Sequence, residues 1–146
     1  MREALDRLRT ILETVPPRLL AIADADAARP RVADKWSPKE VLGHLVDSAS
    51  NNHQRFVRAQ LAEEVHFPAY EQEMWVAVQR YRDERWEAIV GLWLAYNRHL
   101  LHVMREVPES RYHHRCHSGG SAPLTLRDLM VDYVRHLEHH LGQVLA

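Results

Sequence analysis

Two histidines one helical turn apart, His136 and His140 in VDYVRHLEHHLGQVLA, carry the clearest chemistry in this chain. Imidazoles at positions i and i+4 of a helix can both reach a single metal ion. The surrounding apolar residues Leu126, Met130, Val134, Leu137, Leu141 and Val144 recur at three- and four-residue steps, which predicts an amphipathic helix. On its wheel those six fall within roughly 80° of one another. His136 and His140 share a flank of that stripe, about 40° apart, and His139 points roughly to the opposite, wet side. A flank suits a catalytic metal, which needs one position open to water or substrate. A helical HxxxH is often incidental, and two ligands make a weak site. A third must come from another element.

Other ligand-type residues fit established metal patterns less well. His113, His114, Cys116 and His117 crowd residues 109–123, a stretch with Gly119-Gly120 near its centre that reads as a loop. Ligands on a flexible loop lose entropy on binding, and this spacing matches no usual zinc pattern. No separate site is expected there. A zincin needs a glutamate directly after its first histidine, whereas Glu138 sits two residues after His136, about 200° around the helix. A di-iron bundle needs two Glu-x-x-His pairs; only Glu63 and His66 have that spacing, near a predicted helix end.

The elements that must position these residues read as helices. Ala4, Leu5, Leu8, Ile11, Leu12 and Val15 predict a first helix over residues 2–14, which Pro16-Pro17 should end or kink. A short piece over 18–23 and a loop over 24–34 follow. In WSPKEV, Ser37 is an N-cap, Pro38 stands at N1, and Glu40 at N3 completes a capping box. Trp36 and Val41 form a possible hydrophobic staple, and the helix should run to about Leu61. His44 lies about 100° from the centre of its apolar face, with Ser48, Asn52 and Arg55 along nearly the same line. That polar row is either one wall of a pocket or solvated surface. Residues 63–70 read as a connection, 70–81 as a short helix carrying Trp75 toward the bundle, and 83–106 as a long helix with an aromatic stripe that reads as core. Thr125 then caps the last helix, with Leu124 and Leu129 as a second possible staple.

Composition excludes several classes. The 146 residues are 46% hydrophobic and 27% charged, with 19 basic and 20 acidic residues and a net charge of −1. That gives no nucleic-acid footprint and no charged tail. No apolar run approaches the roughly 18 residues of a membrane span, and the charged N-terminus has no signal-peptide core, so a cytoplasmic location is the default expectation. Cys116 is the only cysteine, which leaves no intrachain disulfide. Few glycines and long 3.6-residue periodicities predict an all-α fold, one domain over 1–146.

The words KWSPKEVLGHLVDSASNNHQRF and RHLEHHLGQV, with FPAYEQEMW, YRDERW and PLTLRDLM between them, resemble the DinB/YfiT-like superfamily, in particular its DinB-like subgroup. The resemblance implies a four-helix bundle in up-down-down-up order, assembled as a homodimer. It also implies a divalent metal, zinc or nickel, held by one histidine of the second long helix and two from the last. By motif these are His44 in GHLVDS, with His136 and His140 before LGQ. Leu141 stands where the family often has arginine, which leaves the ligands intact. Asp47 and Gln143 are candidate hydrogen-bond partners of the ligating rings, and Ser48, Asn52, Arg55 and Trp75 are candidate pocket residues.

The superfamily includes thiol S-transferases and a mycothiol-dependent isomerase. The resemblance therefore implies a metal-dependent enzyme, with the ion activating a low-molecular-weight thiol or water for S-transfer to, or hydrolysis of, a small electrophilic substrate. The alternatives are a bundle whose ion is structural or sensory, and a dimerising helical module without metal. Cys116 lies on no recognised motif and is not expected to be the nucleophile. No nucleic-acid or membrane partner is expected.

Overall fold

The first helix, α1 (Arg2–Leu20), does not stop at its two prolines. Pro16 and Pro17 lie within its last turns, so only a few backbone bonds are lost. Burial of Val15, Pro16 and Leu19 in the core offsets that loss. The Trp86 indole also donates to the Leu19 carbonyl at 2.7 Å, satisfying an end-of-helix acceptor. The structure is a computed structural model that describes residues 1–119 and 122–146; Gly120, placed in a loop by the sequence reading, lies outside the described residues. The stretch expected as loop after α1 holds one further turn, α2 (Asp24–Ala27).

The second long helix, α3 (Pro38–Arg58), starts where its capping box predicts. Ser37 Oγ accepts from the Glu40 backbone and the Glu40 carboxylate accepts from the Ser37 backbone. It ends about one turn before Leu61. Then α4 (Gln72–Gln79), a 3-10 turn over Tyr81–Asp83 and α5 (Trp86–Glu106) follow. The last helix, α6 (Leu126–Leu145), is capped by the Thr125 side chain on the Asp128 amide. Four long helices thus form a bundle in which α3 packs on α5 and α6, and α1 packs on α5 and α6. Trp86, Trp93, Phe56, Leu42, Leu100, Met130 and Leu137 fill its core, as the periodicities predicted. No described helix is long and apolar enough to cross a membrane.

The departure from an all-helical reading is a small sheet. The α3–α4 connection contains β1 (Glu64–Phe67), and the supposed loop before α6 contains β2 (Arg115–Ser118) and β3 (Leu124–Thr125). β1 pairs in parallel with β2, Val65 opposite Cys116 and His66 opposite His117, and β3 adds antiparallel to β2. Each strand is too short to show alternation. The β1–β2 partners are also about fifty residues apart in sequence, so the sheet exists only through tertiary pairing.

A candidate metal centre between two helices

Where α3 meets α6, each helix delivers histidines. His44 comes from the first turns of α3 with no solvent exposure; His136 and His140 come from successive turns of α6 and are half-buried. The His44 and His136 Nε2 atoms stand 3.2 Å apart, and one ligand nitrogen from each of the three rings lies within 4.8 Å of the others. Ring centroids are separated by 5.1 Å for His44–His136, 4.9 Å for His44–His140 and 4.5 Å for His136–His140. Two nitrogens bound tetrahedrally at ordinary zinc distances would be about 3.3 Å apart. The His44–His136 spacing fits a shared ion.

The hydrogen bonding distinguishes the three rings. The Nδ1 atoms of His44 and His136 are both buried, with no hydrogen-bond partner among the described residues. With no partner to fix the proton on Nδ1, the Nε2 atoms, 3.2 Å apart, are the ring atoms that face one another across the cluster. His140 differs: its Nδ1 donates to Gln143 Oε1 at 2.9 Å, while the Gln143 amide nitrogen lies 3.1 Å from His139 Nε2. That contact leaves His140 Nε2 bare and aimed inward. Burial, then repulsion from the other two rings, pushes the His44 pKa down to about 4. His136 falls to about 4, again chiefly by burial, and His140 is lowered by burial too. Near neutral pH all three rings are uncharged, the state that binds metal.

Two cavities reach this cluster from different sides. One of about 530 Å³ is lined by Trp36, Val41, Glu73, His140 and Gln143 among others. The second, about 250 Å³, is lined by Ser48, Asn52, Arg55, Tyr70, Tyr133 and His136. The polar row of α3 is therefore a pocket wall: Ser48 and Asn52 are buried, and Arg55 is half-buried. The Arg55 guanidinium forms no hydrogen bond or ion pair among the described residues, and burial lowers its pKa.

Two expected positions fall elsewhere. Asp47 Oδ1 accepts from the Tyr81 hydroxyl at 2.7 Å and from Gln79 Nε2 at 2.8 Å, and it bonds no ligating ring. It lies three residues past His44, on the side of α3 that meets α4 and the following turn. Trp75 lines neither cavity; it is 37% exposed and packs on Tyr70, while its neighbour Val76 takes the buried place on α4. Conversely, Trp36, read only as a staple, also lies against His44, ring centroids 5.2 Å apart. Its N′ position one residue before the cap was the available signal. Glu138 turns away from the site and pairs with Arg7 of α1, and His139 is exposed. Cys116 is buried in β2 with its thiol pushed up to about 11, chiefly by burial, so it is a poor nucleophile.

Known proteins show the same architecture. YfiT from Bacillus subtilis, described as "a probable metal-dependent hydrolase with an unusual four-helix bundle topology", superposes with a TM-score of 0.81 at 22% identity, over 99% of this chain and 85% of its own. A mycothiol-dependent maleylpyruvate isomerase superposes with a TM-score of 0.81 at 15% identity. The match covers 99% of this chain but only 60% of the isomerase. No curated protein matches the sequence significantly. Residues 2–144 match the family defined as the DinB superfamily, and the chain belongs to that superfamily.

Proposed function

We propose that this protein is a metal-dependent enzyme that uses His44, His136 and His140 to hold one zinc or nickel ion beside a pocket for a small electrophilic substrate. One observation carries this reading: the three rings stand between two cavities, His140 facing one and His136 the other. A purely structural ion is closed in by its protein ligands, whereas this site is reached from outside. When bound, such an ion lowers the pKa of a coordinated water or thiol and so supplies a nucleophile near neutral pH.

The chain's own residues supply the rest. Trp36 and Val41 give the larger cavity an apolar wall that limits water around His140. In the smaller cavity, Ser48 and Asn52 offer neutral hydrogen bonds, and the half-buried Arg55 guanidinium suits an anionic group on the substrate. Asp132 also borders that cavity, but as an exposed side chain at its rim. Division of the work follows: one cavity takes the thiol or water, and the other orients the electrophile.

The test is metal content of untagged protein, for the parent and for His44→Ala. The variant is expected to hold about one divalent ion per chain fewer than the parent. The loaded parent should then accelerate attack of a low-molecular-weight thiol, or of water, on small electrophiles. Absence of metal in the parent even after incubation with zinc and nickel would overturn the site. A bound ion without turnover across thiols and electrophiles would overturn the enzyme reading and leave a structural or sensory ion.

A further inference from the structure

A second cluster of metal-type ligands lies on the small sheet. β1 turns Val65 and Phe67 inward, so Glu64 and His66 face solvent; β2 turns Cys116 inward, so Arg115 and His117 share the outer face. Parallel pairing sets His66 directly opposite His117. Their rings stack with centroids 4.2 Å apart and planes at 13°. Glu64, one pleat before His66 on the same face, reaches diagonally to His117 Nε2 at 2.6 Å, in preference to its register partner Arg115. One ligand atom from each of Glu64, His66 and His117 lies within 4.8 Å of the other two.

The geometry points to a second divalent-cation site, formed by Glu64, His66 and His117 and independent of the histidine triad. Two imidazoles and one carboxylate form a donor set suited to zinc and to the neighbouring borderline metals. Adjacent strands run about 4.8 Å apart, close enough for in-register side chains to share an ion after small ring rotations. All three side chains have the freedom to turn, because each is exposed or half-exposed. The entropy objection to ligands on a loose loop does not apply here. His117 stands on a paired strand, and β2 is held at both ends: the Arg115 amide donates to the Glu63 carbonyl at 2.7 Å, and the Gly119 amide to Phe67 at 3.3 Å. Gly119 adopts a positive φ of 51° and approaches Ala69 so closely that a side chain there would collide, which fixes the end of the strand. His113, His114 and Cys116 take no part: His114 is buried with Nδ1 2.6 Å from the Ala59 carbonyl, and Cys116 faces the core.

An ion at this position would clamp the α3–α4 connection to the α5–α6 connection. Both connections continue into the wall of the smaller cavity, through Ala69 and Ser118. The site would thus stiffen one side of that pocket from outside, without touching what the pocket holds.

Equilibrium dialysis with zinc separates the two sites. In His44→Ala/His140→Ala, which leaves the triad one ring, about one equivalent should still bind. Adding His66→Ala should weaken that binding by about a hundredfold. Should the double variant fail to fold by circular dichroism, the parent and the surface variant His66→Ala/His117→Ala replace it, with a loss of one of two equivalents expected. Zinc binding unaffected by the His66 change, or none in the folded double variant, overturns the site. Neither result bears on the triad, which the His44→Ala experiment addresses alone.

Discussion

In the proposed site His140 would need a partner to be a good ligand, and Gln143 is placed to be that partner. By accepting from Nδ1 at 2.9 Å it selects the tautomer with a bare Nε2. Gln143→Leu keeps the volume but removes the acceptor, so metal affinity should fall by about 10- to 100-fold with the helix intact. A competition titration against a chelating dye reads that change, and unchanged affinity would show that the ring orients itself. Arg55 makes the matching argument for substrate. A charged hydrogen bond in a half-buried pocket is worth about 1.5–3 kcal/mol. Arg55→Gln should therefore raise KM for an anionic electrophile by about 10- to 100-fold, leave its neutral analogue unaffected and leave metal content unchanged. Equal losses for both substrates would remove Arg55 from recognition. At this scale, helical spacing put His136 and His140 on one flank, whereas His44 was named as their partner only through the motif resemblance and Gln143 only as a candidate hydrogen-bond partner. Asp47 was misplaced because a helical wheel gives an angle but not the neighbour waiting there, in this case Tyr81 and Gln79. Lys39 escaped notice for the same reason. It is 3% exposed, holding Asp24 and the carbonyls of Arg82 and Glu84, and no local pattern marks a buried lysine.

Helix α3 is the element on which the site depends, because it carries His44, the polar pocket wall and the contact with the 3-10 turn. Gly43 lets that turn come close: a Cβ there would overlap the Tyr81 ring. Two effects oppose each other in Gly43→Ala. Helix propensity gains about 1 kcal/mol, whereas overpacking a tight contact costs about 1–3 kcal/mol. The overlap falls on the body of a buried ring that is also tied through its hydroxyl to Asp47, so the cost should win. Urea unfolding should show a net loss of about 1–2 kcal/mol, with a larger fall in metal affinity than the distance from the ligands would suggest, since His44 is the next residue. A stabilised variant would mean that the turn simply moves away. Element starts were legible where chemistry is local, as in the Ser37–Glu40 box and the Thr125 cap. Ends and strands were not. The prolines of α1 are tolerated because its last turns are buried, and EVHF and RCHS became strands because each found the other.

Taken whole, the molecule buries neutral imidazoles at the junction of two helices, and its stability should report that placement. In the metal-free fold His44 and His136 titrate at about 4, below their ordinary value of 6.5. The unfolded chain therefore takes up protons at these two positions before the folded one does. Stability rises with pH wherever the unfolded state binds more protons. The contribution is complete above about pH 6.5, is lost progressively as pH falls toward about 4, and changes no further below that. Urea midpoints of chelator-treated protein should accordingly drop between about pH 7 and 5. His44→Gln/His136→Gln should flatten this part of the profile while keeping the acid transition that carboxylates such as Glu40 contribute. Glu40, its pKa held down by the Ser37 amide and Arg82 against the opposing effect of burial, loses its contribution in a lower range. Metal should act in the opposite direction to protons. At a hundredfold excess over Kd an ion at the triad adds about 2.7 kcal/mol, so the parent should gain about 5–10 °C more in Tm than the double variant, which keeps only the sheet cluster. A parent profile flat between about pH 7 and 5, together with no metal-dependent rise in Tm, would mean that the three rings are packed as ordinary core residues. The bundle would then keep its fold without the chemistry that its histidine spacing implies.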